Sequence, residues 1–504
     1  VSEAHALRRW LGSGLDAVHR SRGHLDAINV FPVADSDTGT NVFLTLQEGN
    51  RAIARLPADA SHRDVAAAFA RGALMGARGN SGVIVSQYLS ALLRVIDAKG
   101  GLESVDARGL SLALGRAAEA AYAAVGAPVE GTILTVARAA ARAANGVATT
   151  GGTREEVIVA AVDGARQGLA RTTEQLPSAR AAGVVDAGAA ALVLQLEMLA
   201  EAIAGKDALV DHPAVAWELP GRHHHVVQPG HPAHGEQDGG AYEVMFVAER
   251  EEDARAGVVE SLGEIGDSVT VTSAHGLIQA HVHTDHPARA VAIAEGLDAH
   301  QIVVRSITLS VVHDRAATGV VALTTCPGLA EPLADAGAVV LVVPEPSSLR
   351  KRDLNRAVRD ASGAEAIVVA GNPSLLATAR ALADKRGKPR LVVIEASHEA
   401  HVIAAVAASA LATPGEDVAA LMREAVAATT VGQSTGDALD EDLDELVGSR
   451  TEVVTLVLAR GIDDAVGDEA RLSIEARSPG ADVAVYPGGQ EWPPILIGVE
   501  SAPA

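Results

Sequence analysis

From Val1 to about Lys206 apolar residues recur at spacings of three and four, in Ala-, Leu- and Val-rich segments split by Gly, Pro and Asn-Gly breaks, the mark of amphipathic helices. The pattern predicts helices near 3–21, 40–55, 63–76, 81–97, 107–124, 131–145, 154–170 and 187–203, about eight antiparallel helices around one core. Between about Asp207 and Gly240 the periodicity stops, and Pro, His and Gly take over. The stretch holds His223, His224, His225, His231 and His234 and reads as a linker without carboxylates at ligand spacing. Beyond it, Tyr242 to Ala248 alternates as a strand does, Glu252 to Leu262 is helical, and Val269–Val271 and Ile278–Thr284 are strand-like. A Pro-started helix near 287–296 and a strand near 302–311 complete a βαββαβ order. From about Thr318 short apolar runs, Val320–Leu323, Val339–Val343, Ala366–Ala370 and Leu391–Ile394, alternate with helical segments and predict a mostly parallel sheet with crossover helices. An acidic stretch from Thr429 to Arg450 precedes the β-like runs Val453–Leu458, Val483–Tyr486 and Ile495–Val499.

The expected fold is therefore multidomain. It comprises an all-α domain over 1–206, a linker over 207–240, a small α+β domain over 241–312 and an α/β domain over 315–504. The length of 504 residues agrees with several cores rather than one. Only 2% of residues are aromatic, so the cores are built from Ala, Val, Leu and Ile, and base-stacking platforms are not expected. A net charge of -23 repels phosphate backbones, which argues against nucleic acid as a partner. Cys326 is the single cysteine, so an internal disulfide framework and multi-cysteine metal sites are excluded, and the thiol is expected in a core. With no uninterrupted apolar run of about 18 residues and no signal-type block after Arg9, the expectation is a cytoplasmic chain without a transmembrane segment.

The densest chemistry lies between the first two predicted helices, in Asn29-Val30-Phe31-Pro32-Val33-Ala34-Asp35-Ser36-Asp37-Thr38-Gly39-Thr40-Asn41. Two Asp two residues apart in a turn aim both carboxylates at one point, as Mg²⁺ holding nucleotide phosphates requires. Gly39 would let backbone approach a phosphate, and Thr40-Asn41 would open a helix with N–H groups facing the anion. An Asp-rich N-cap turn gives the same fragment without any ligand. Three further helix starts carry related residues: Gly79-Asn80-Ser81-Gly82, Pro128-Val129-Glu130-Gly131-Thr132, and Gly183-Val184-Val185-Asp186-Ala187-Gly188. Each alone is an ordinary interhelical turn, whereas four together suggest one end of a helical barrel holding a nucleotide. No Walker A lysine motif and no G-x-G-x-x-G occurs, which removes P-loop and Rossmann readings.

These four motifs as a set resemble the DhaL-type nucleotide-binding domain of dihydroxyacetone (glycerone) kinases, and more closely its relative in bacterial fatty acid kinase A. The similarity continues through Tyr242–Thr284, like that family's middle domain, and from Gly319 onward, with Gly371-Asn372-Pro373 and Gly488-Gly489-Gln490, like its C-terminal domain. The resemblance implies ATP and Mg²⁺, with Asp35 and Asp37 as the catalytic metal-holding pair and a third ligand just upstream, placed at Asn29. It further implies a phosphate cradle of Thr38, Gly39, Thr40, Asn41, Gly79, Asn80, Ser81 and Gly82, with Thr132 and Asp186 near the nucleotide. Phosphoryl transfer asks mainly for positioning and charge neutralisation, which this set supplies, although no general base stands out. Two departures concern the turn itself: Ala34 and Ser36 stand where the family usually has Pro and Gly.

His281 and His283, two apart on a strand, project from one face within reach of one metal ion, or form a packed pair without one. The resemblance adds a third zinc ligand, a cysteine at the position of Glu243, so that a His₂Glu zinc set remains chemically sound here and loss of the metal is the alternative. The implied function is an ATP-dependent phosphotransferase acting on a fatty acid presented by a separate lipid-binding carrier protein and giving an acyl phosphate. The C-terminal domain is the expected docking region for that carrier. The alternatives are one component of a small-ketose kinase, or a non-catalytic nucleotide-sensing scaffold, and a homodimer is left open.

Overall fold

The computed structural model describes residues 2–32, 34–209, 240–274, 276–307, 318–361, 365–384, 390–413 and 415–502. The histidines at 223–225, 231 and 234 lie outside the described residues. The chain divides into two compact units, one of 1–239 with 249–282 and one of 240–248 with 283–504.

The first unit opens with α1 (Glu3–Ala27), α2 (Thr38–Ala54), α3 (His62–Gly76), α4 (Gly79–Ala98), α5 (Ala107–Ala124), α6 (Ile133–Thr149), α7 (Arg154–Gln175), α8 (Pro177–Ala182) and α9 (Ala187–Ala204). Eight of these match the periodic segments, and α8 is an additional single short helix. Side chains fix most of the starts: Ser2, Asp106, Thr132 and Asp186 accept first-turn N–H groups, and Ser61/Asp64 and Thr153/Glu156 form capping boxes. One core runs through the helices, with Trp10, Phe69 and Tyr88 fully buried among Ala, Val and Leu. Helix α9 is long and apolar enough to cross a membrane by length and composition. It is instead mostly buried in this core, where Gln195 donates to the Gly14 carbonyl at 2.9 Å and Glu197 pairs with Arg166 on α7 at 2.6 Å.

After the undescribed segment come β1 (Tyr242–Ala248), α10 (Arg255–Gly263), β2 (Asp267–Ala274), β3 (Leu277–Thr284), α11 (Pro287–Gly296) and β4 (His300–Ser306). Helix α10, strand β2 and most of β3 belong to the first unit, and the division passes through β3 between Val282 and His283. Within the first unit β2 and β3 lie side by side.

The second unit continues with β5 (Thr318–Thr324), α12 (Ala330–Asp335), β6 (Val339–Val342), α13 (Lys351–Asp360), β7 (Glu365–Ala370), α14 (Pro373–Ala383), β8 (Arg390–Val393), α15 (Glu399–Ala410) and α16 (Val418–Ala428). Its strands stand in the order β1-β4-β6-β5-β7-β8. Pairs β5/β6, β5/β7 and β7/β8 are parallel, as the βα rhythm predicts, while β4 joins β6 antiparallel through Ile302↔Val342 and Val304↔Val340. Strands β1 and β4 therefore stand in one sheet with the strands that follow them. The chain ends in β9 (Thr429–Ser434), α17 (Leu439–Leu446), β10 (Thr451–Leu458), α18 (Asp464–Arg477), β11 (Asp482–Pro487) and β12 (Ile495–Ser501), a separate sheet of order β11-β10-β12-β9.

In the parallel sheet β5 has β6 on one side and β7 on the other, and the crevice at the carboxyl ends of such strands is where open α/β sheets take ligands. Here it is filled. The buried Glu399 carboxylate accepts from Thr324 Oγ1 at 2.8 Å, from Thr325 N–H at 2.8 Å and from Thr325 Oγ1 at 2.7 Å, and a Cβ on Gly371 would lie 2.2 Å from it. Gly328 N–H donates to the Gly488 carbonyl at 2.9 Å from the same side. Cys326, fully buried beside this network, has its thiol pushed up by burial and by Glu399, so it is an inert core residue as expected.

Candidate functional site

The loop joining α1 to α2 is built on hydrogen bonds among its own polar residues. Asn29 is buried and donates its amide to Asp35 Oδ1 at 2.5 Å, so it orients that carboxylate. Asp37 occupies the N-cap of α2 and accepts from Asn41 Nδ2 at 2.8 Å. Both aspartates are half-buried, and Ser36 between them is exposed with φ 54°. That left-handed conformation costs an L-residue about 1 kcal/mol that glycine does not incur, which is the physical meaning of the glycine preference at this position.

Asp26 belongs to no motif in the sequence, yet it closes the loop. Its buried carboxylate accepts the Thr40 N–H at 2.8 Å on one oxygen and the Thr40 hydroxyl at 2.8 Å on the other, binding the end of α1 to the start of α2. Gly39 serves the same junction: a Cβ there would sit 2.5 Å from the Arg22 carbonyl and 2.6 Å from Leu25 Cβ. Its lack of a side chain makes room for the end of α1. Thr38 is buried at the first position of α2.

The other three motif loops arrive beside this one. Gly79 opens α4 at φ 54°, and a Cβ on it would lie 2.6 Å from Asn41 Nδ2, so the starts of α2 and α4 touch. Gly82, one turn on, faces Thr45 of α2. Ser81 Oγ is 3.2 Å and Ile133 Cβ 3.7 Å from the Cβ position of Gly188, which brings in α9 and α6. Thr132 caps α6, accepting from Leu134 N–H at 3.3 Å and donating to the Val129 carbonyl at 2.7 Å. Asp186 caps α9 by accepting from Ala189 N–H at 2.7 Å, and the Ile133 N–H is directed to it as well. Burial raises its pKa to about 6, the two N–H groups holding it lower than burial alone would. Glu130 turns outward, pairing with Arg138 and accepting from Tyr122 Oη at 3.0 Å.

Four helix starts thus meet at one end of the helical core, with their positive dipole ends together and two carboxylates on the loop of one of them. The start of α4, where Asn80 and Ser81 stand, differs from those of α6 and α9 in having no cap bond from its own N-cap side chain; Thr45 Oγ1 accepts the Arg78 N–H there at 3.2 Å. Arg78, at its N-cap position, is a buried cation that no sequence motif singles out, and its guanidinium donates to the Gly76 carbonyl. Hard carboxylate oxygens beside helix N-termini are the donor set that fits a divalent cation carrying phosphates.

In the second unit Glu243 on β1 and His283 on β3 are both buried and bring ligand atoms within 4.8 Å of each other. His281, two residues back along the same strand and in the first unit, is buried as well. Glu243 also pairs with Arg305, its antiparallel partner across β4. An imidazole and a carboxylate are donors that fit zinc, and a ligating carboxylate commonly accepts a further hydrogen bond.

Comparison with known proteins matches three segments of the chain, the middle one running across the boundary between the two compact units. The DAK2 domain family matches residues 32–201, the FakA-like (fatty acid kinase A-like) middle domain matches 239–308, and the FakA-like C-terminal domain matches 428–500. Protein YloV of Bacillus subtilis is 33% identical over 289 residues, covering 56% of this chain and 51% of that protein. An uncharacterized protein of Staphylococcus epidermidis is 31% identical over 52% of this chain and 47% of its own length. The chain thus spans about half the length of these two relatives, whereas an uncharacterized protein of Staphylococcus aureus (strain NCTC 8325) aligns at 25% identity over 94% of this chain and 95% of its own. The crystal structure of the dihydroxyacetone kinase from C. freundii in complex with AMP-PNP and Mg²⁺ is 21% identical, covering 39% of this chain and 33% of that one at a TM-score of 0.29, too low to carry an argument.

Proposed function

From the premise that the chain carries a DAK2 domain followed by FakA-like middle and C-terminal domains, we propose that it is an ATP-dependent phosphotransferase. Its acceptor, in this reading, is a fatty acid carried by a separate lipid-binding protein, and its product is an acyl phosphate. The observation that carries the nucleotide part is the meeting of the α2, α4, α6 and α9 starts beside Asp35 and Asp37.

Asp35, oriented by Asn29, and Asp37, held by Asn41, would bind magnesium at the mouth of this cluster. A divalent cation supplies, when bound, the positive charge that the missing Walker lysine would otherwise provide. The backbone N–H groups at Asn80 and Ser81 receive phosphate oxygens, Thr38, Thr40 and Gly82 hold the cradle's shape, and Thr132 and Asp186 fix the far wall through their caps. Glu243 and His283, both in the second unit, would take part in holding a zinc ion. Calorimetry with ATP tests the core of the reading. Affinity should fall at least about tenfold in EDTA and in Asp35→Ala or Asp37→Ala, a loss of about 1.4 kcal/mol or more. Equal binding in all three would sink the magnesium assignment. The left-handed Ser36 favours one other reading, a nucleotide-sensing scaffold without turnover. ATP consumption that stays at zero with fatty-acid-loaded carrier present, while ATP still binds, would select it.

A further inference from the structure

We propose that the β2–β3 strand pair, which lies outside the DAK2 match, is a wall of the nucleotide site, with Thr270 positioning Asn80 at the start of α4. The inference rests on the nucleotide reading above.

The first unit contains both parties, so the contact is internal to one compact body. Thr270 Oγ1 donates to Asn80 Oδ1 at 2.9 Å, and Gln279 Nε2 donates to the Ala77 carbonyl at 3.0 Å. Thr270 and Gln279 are each 1% exposed; the Gln279 bond is buried and the Thr270 bond, to a half-buried Asn80, is partly so, and losing a buried partner is costly. Backbone and side-chain ties fix the strand against the end of α5. Gly126 N–H donates to the Val269 carbonyl at 3.0 Å, Val125 and Thr270 form an antiparallel bridge, and Arg255 donates to the Ala123 and Val271 carbonyls. The bonds from Thr270 and Gln279 grip the loop on either side of Gly79, whose left-handed backbone also meets Asn41, which in turn holds Asp37. A continuous line of contacts therefore runs from Thr270 through Asn80, Gly79 and Asn41 to the carboxylate loop.

The chemistry of the bond gives it a direction. A hydroxyl donating to Oδ1 engages the acceptor end of the Asn80 amide, so that the end not used by this bond is the N–H donor end, the polarity an anionic phosphate needs. The α4 start has no side-chain cap of its own, so its conformation depends on such outside ties.

The test uses the full chain, with Thr270→Val, which keeps the shape and removes the hydroxyl, and Thr270→Ser, which restores it. Amide hydrogen exchange without nucleotide should speed up at 79–82 in Thr270→Val, stay unchanged in the other helices of the first unit and return to the wild-type rate in Thr270→Ser. Mg·ATP affinity by calorimetry should fall about tenfold in the valine variant and recover in the serine one. In turnover assays the change should appear in KM for ATP with kcat for the acceptor step less affected. Wild-type exchange and affinity in Thr270→Val would overturn the inference and leave the nucleotide reading standing. Absence of ATP binding by the wild type would overturn that reading first, and exchange at 79–82 would still decide whether Thr270 pins the loop.

Discussion

At the scale of single residues, the α1–α2 loop shows two costs and the bonds that offset them. Ser36 at φ 54° strains the turn, so Ser36→Gly should raise the melting temperature of the helical unit by the equivalent of about 1 kcal/mol or less, the glycine's extra unfolded-state entropy taking back part of the gain. Asp26, with both oxygens engaged by Thr40, works the other way. Asp26→Ala should cost about 1–3 kcal/mol, because the Thr40 hydroxyl and N–H lose a buried acceptor at once. Asp186 adds a pH dependence. Its folded pKa of about 6 lies above the ordinary aspartate value of 3.8, so its favourable contribution is fully present below that lower value and is lost as pH rises through about 6. Urea denaturation at about pH 4 and about pH 7 should therefore show the wild type losing stability relative to Asp186→Asn, which keeps an acceptor for the cap and carries no charge. A constant difference between the two proteins would contradict the burial argument.

Elements were legible where the pattern repeats over several turns and illegible where a neighbour imposes the structure. The long helices follow from their 3.6-residue period, and β1 and α11 fall at the residues where alternation and an initiating Pro put them. Helix α8 has six residues, too few to show a period. Strand β9, Thr-Thr-Val-Gly-Gln-Ser, has no alternating apolar face of its own and is a strand because β12 pairs with it from Glu500 to Ile495. The β4–β6 pairing escaped for the same reason, since which strand a strand chooses is set by distant residues. In the site, Asp35, Asp37 and the Gly-rich starts were readable as short motifs, whereas Asp26 and Thr270 were not. Asp26 looks like an ordinary polar position of α1, and Thr270 acts across 190 residues of sequence. The His pair on β3 was readable from its spacing, and the pairing of Glu243 with Arg305 was not. Metal analysis of the full chain purified with zinc present should find about one ion per chain, and about none in His283→Ala. A wild-type chain without bound metal would leave Glu243 as the ion-pair partner of Arg305 and nothing more.

For the molecule as a whole, the proposed carrier dependence has a direct expectation. Full-length chain with ATP should form acyl phosphate only when the fatty acid is loaded on its carrier, and free fatty acid at the same concentration should give at least about tenfold less. Equal rates with free acid would argue for a lipid site on the chain itself. The filled crevice of the parallel sheet bears on how this chain should behave in a fragment screen. Where Glu399, Thr324, Thr325 and Gly371 close against each other, a soaked compound finds no volume to enter without breaking three hydrogen bonds to one buried carboxylate. Compounds aimed at this crevice should therefore bind weakly, and chemical probes of this chain are better sought at the helix starts around Asp37 and Asn80 than at the strand ends whose topology first suggests a pocket.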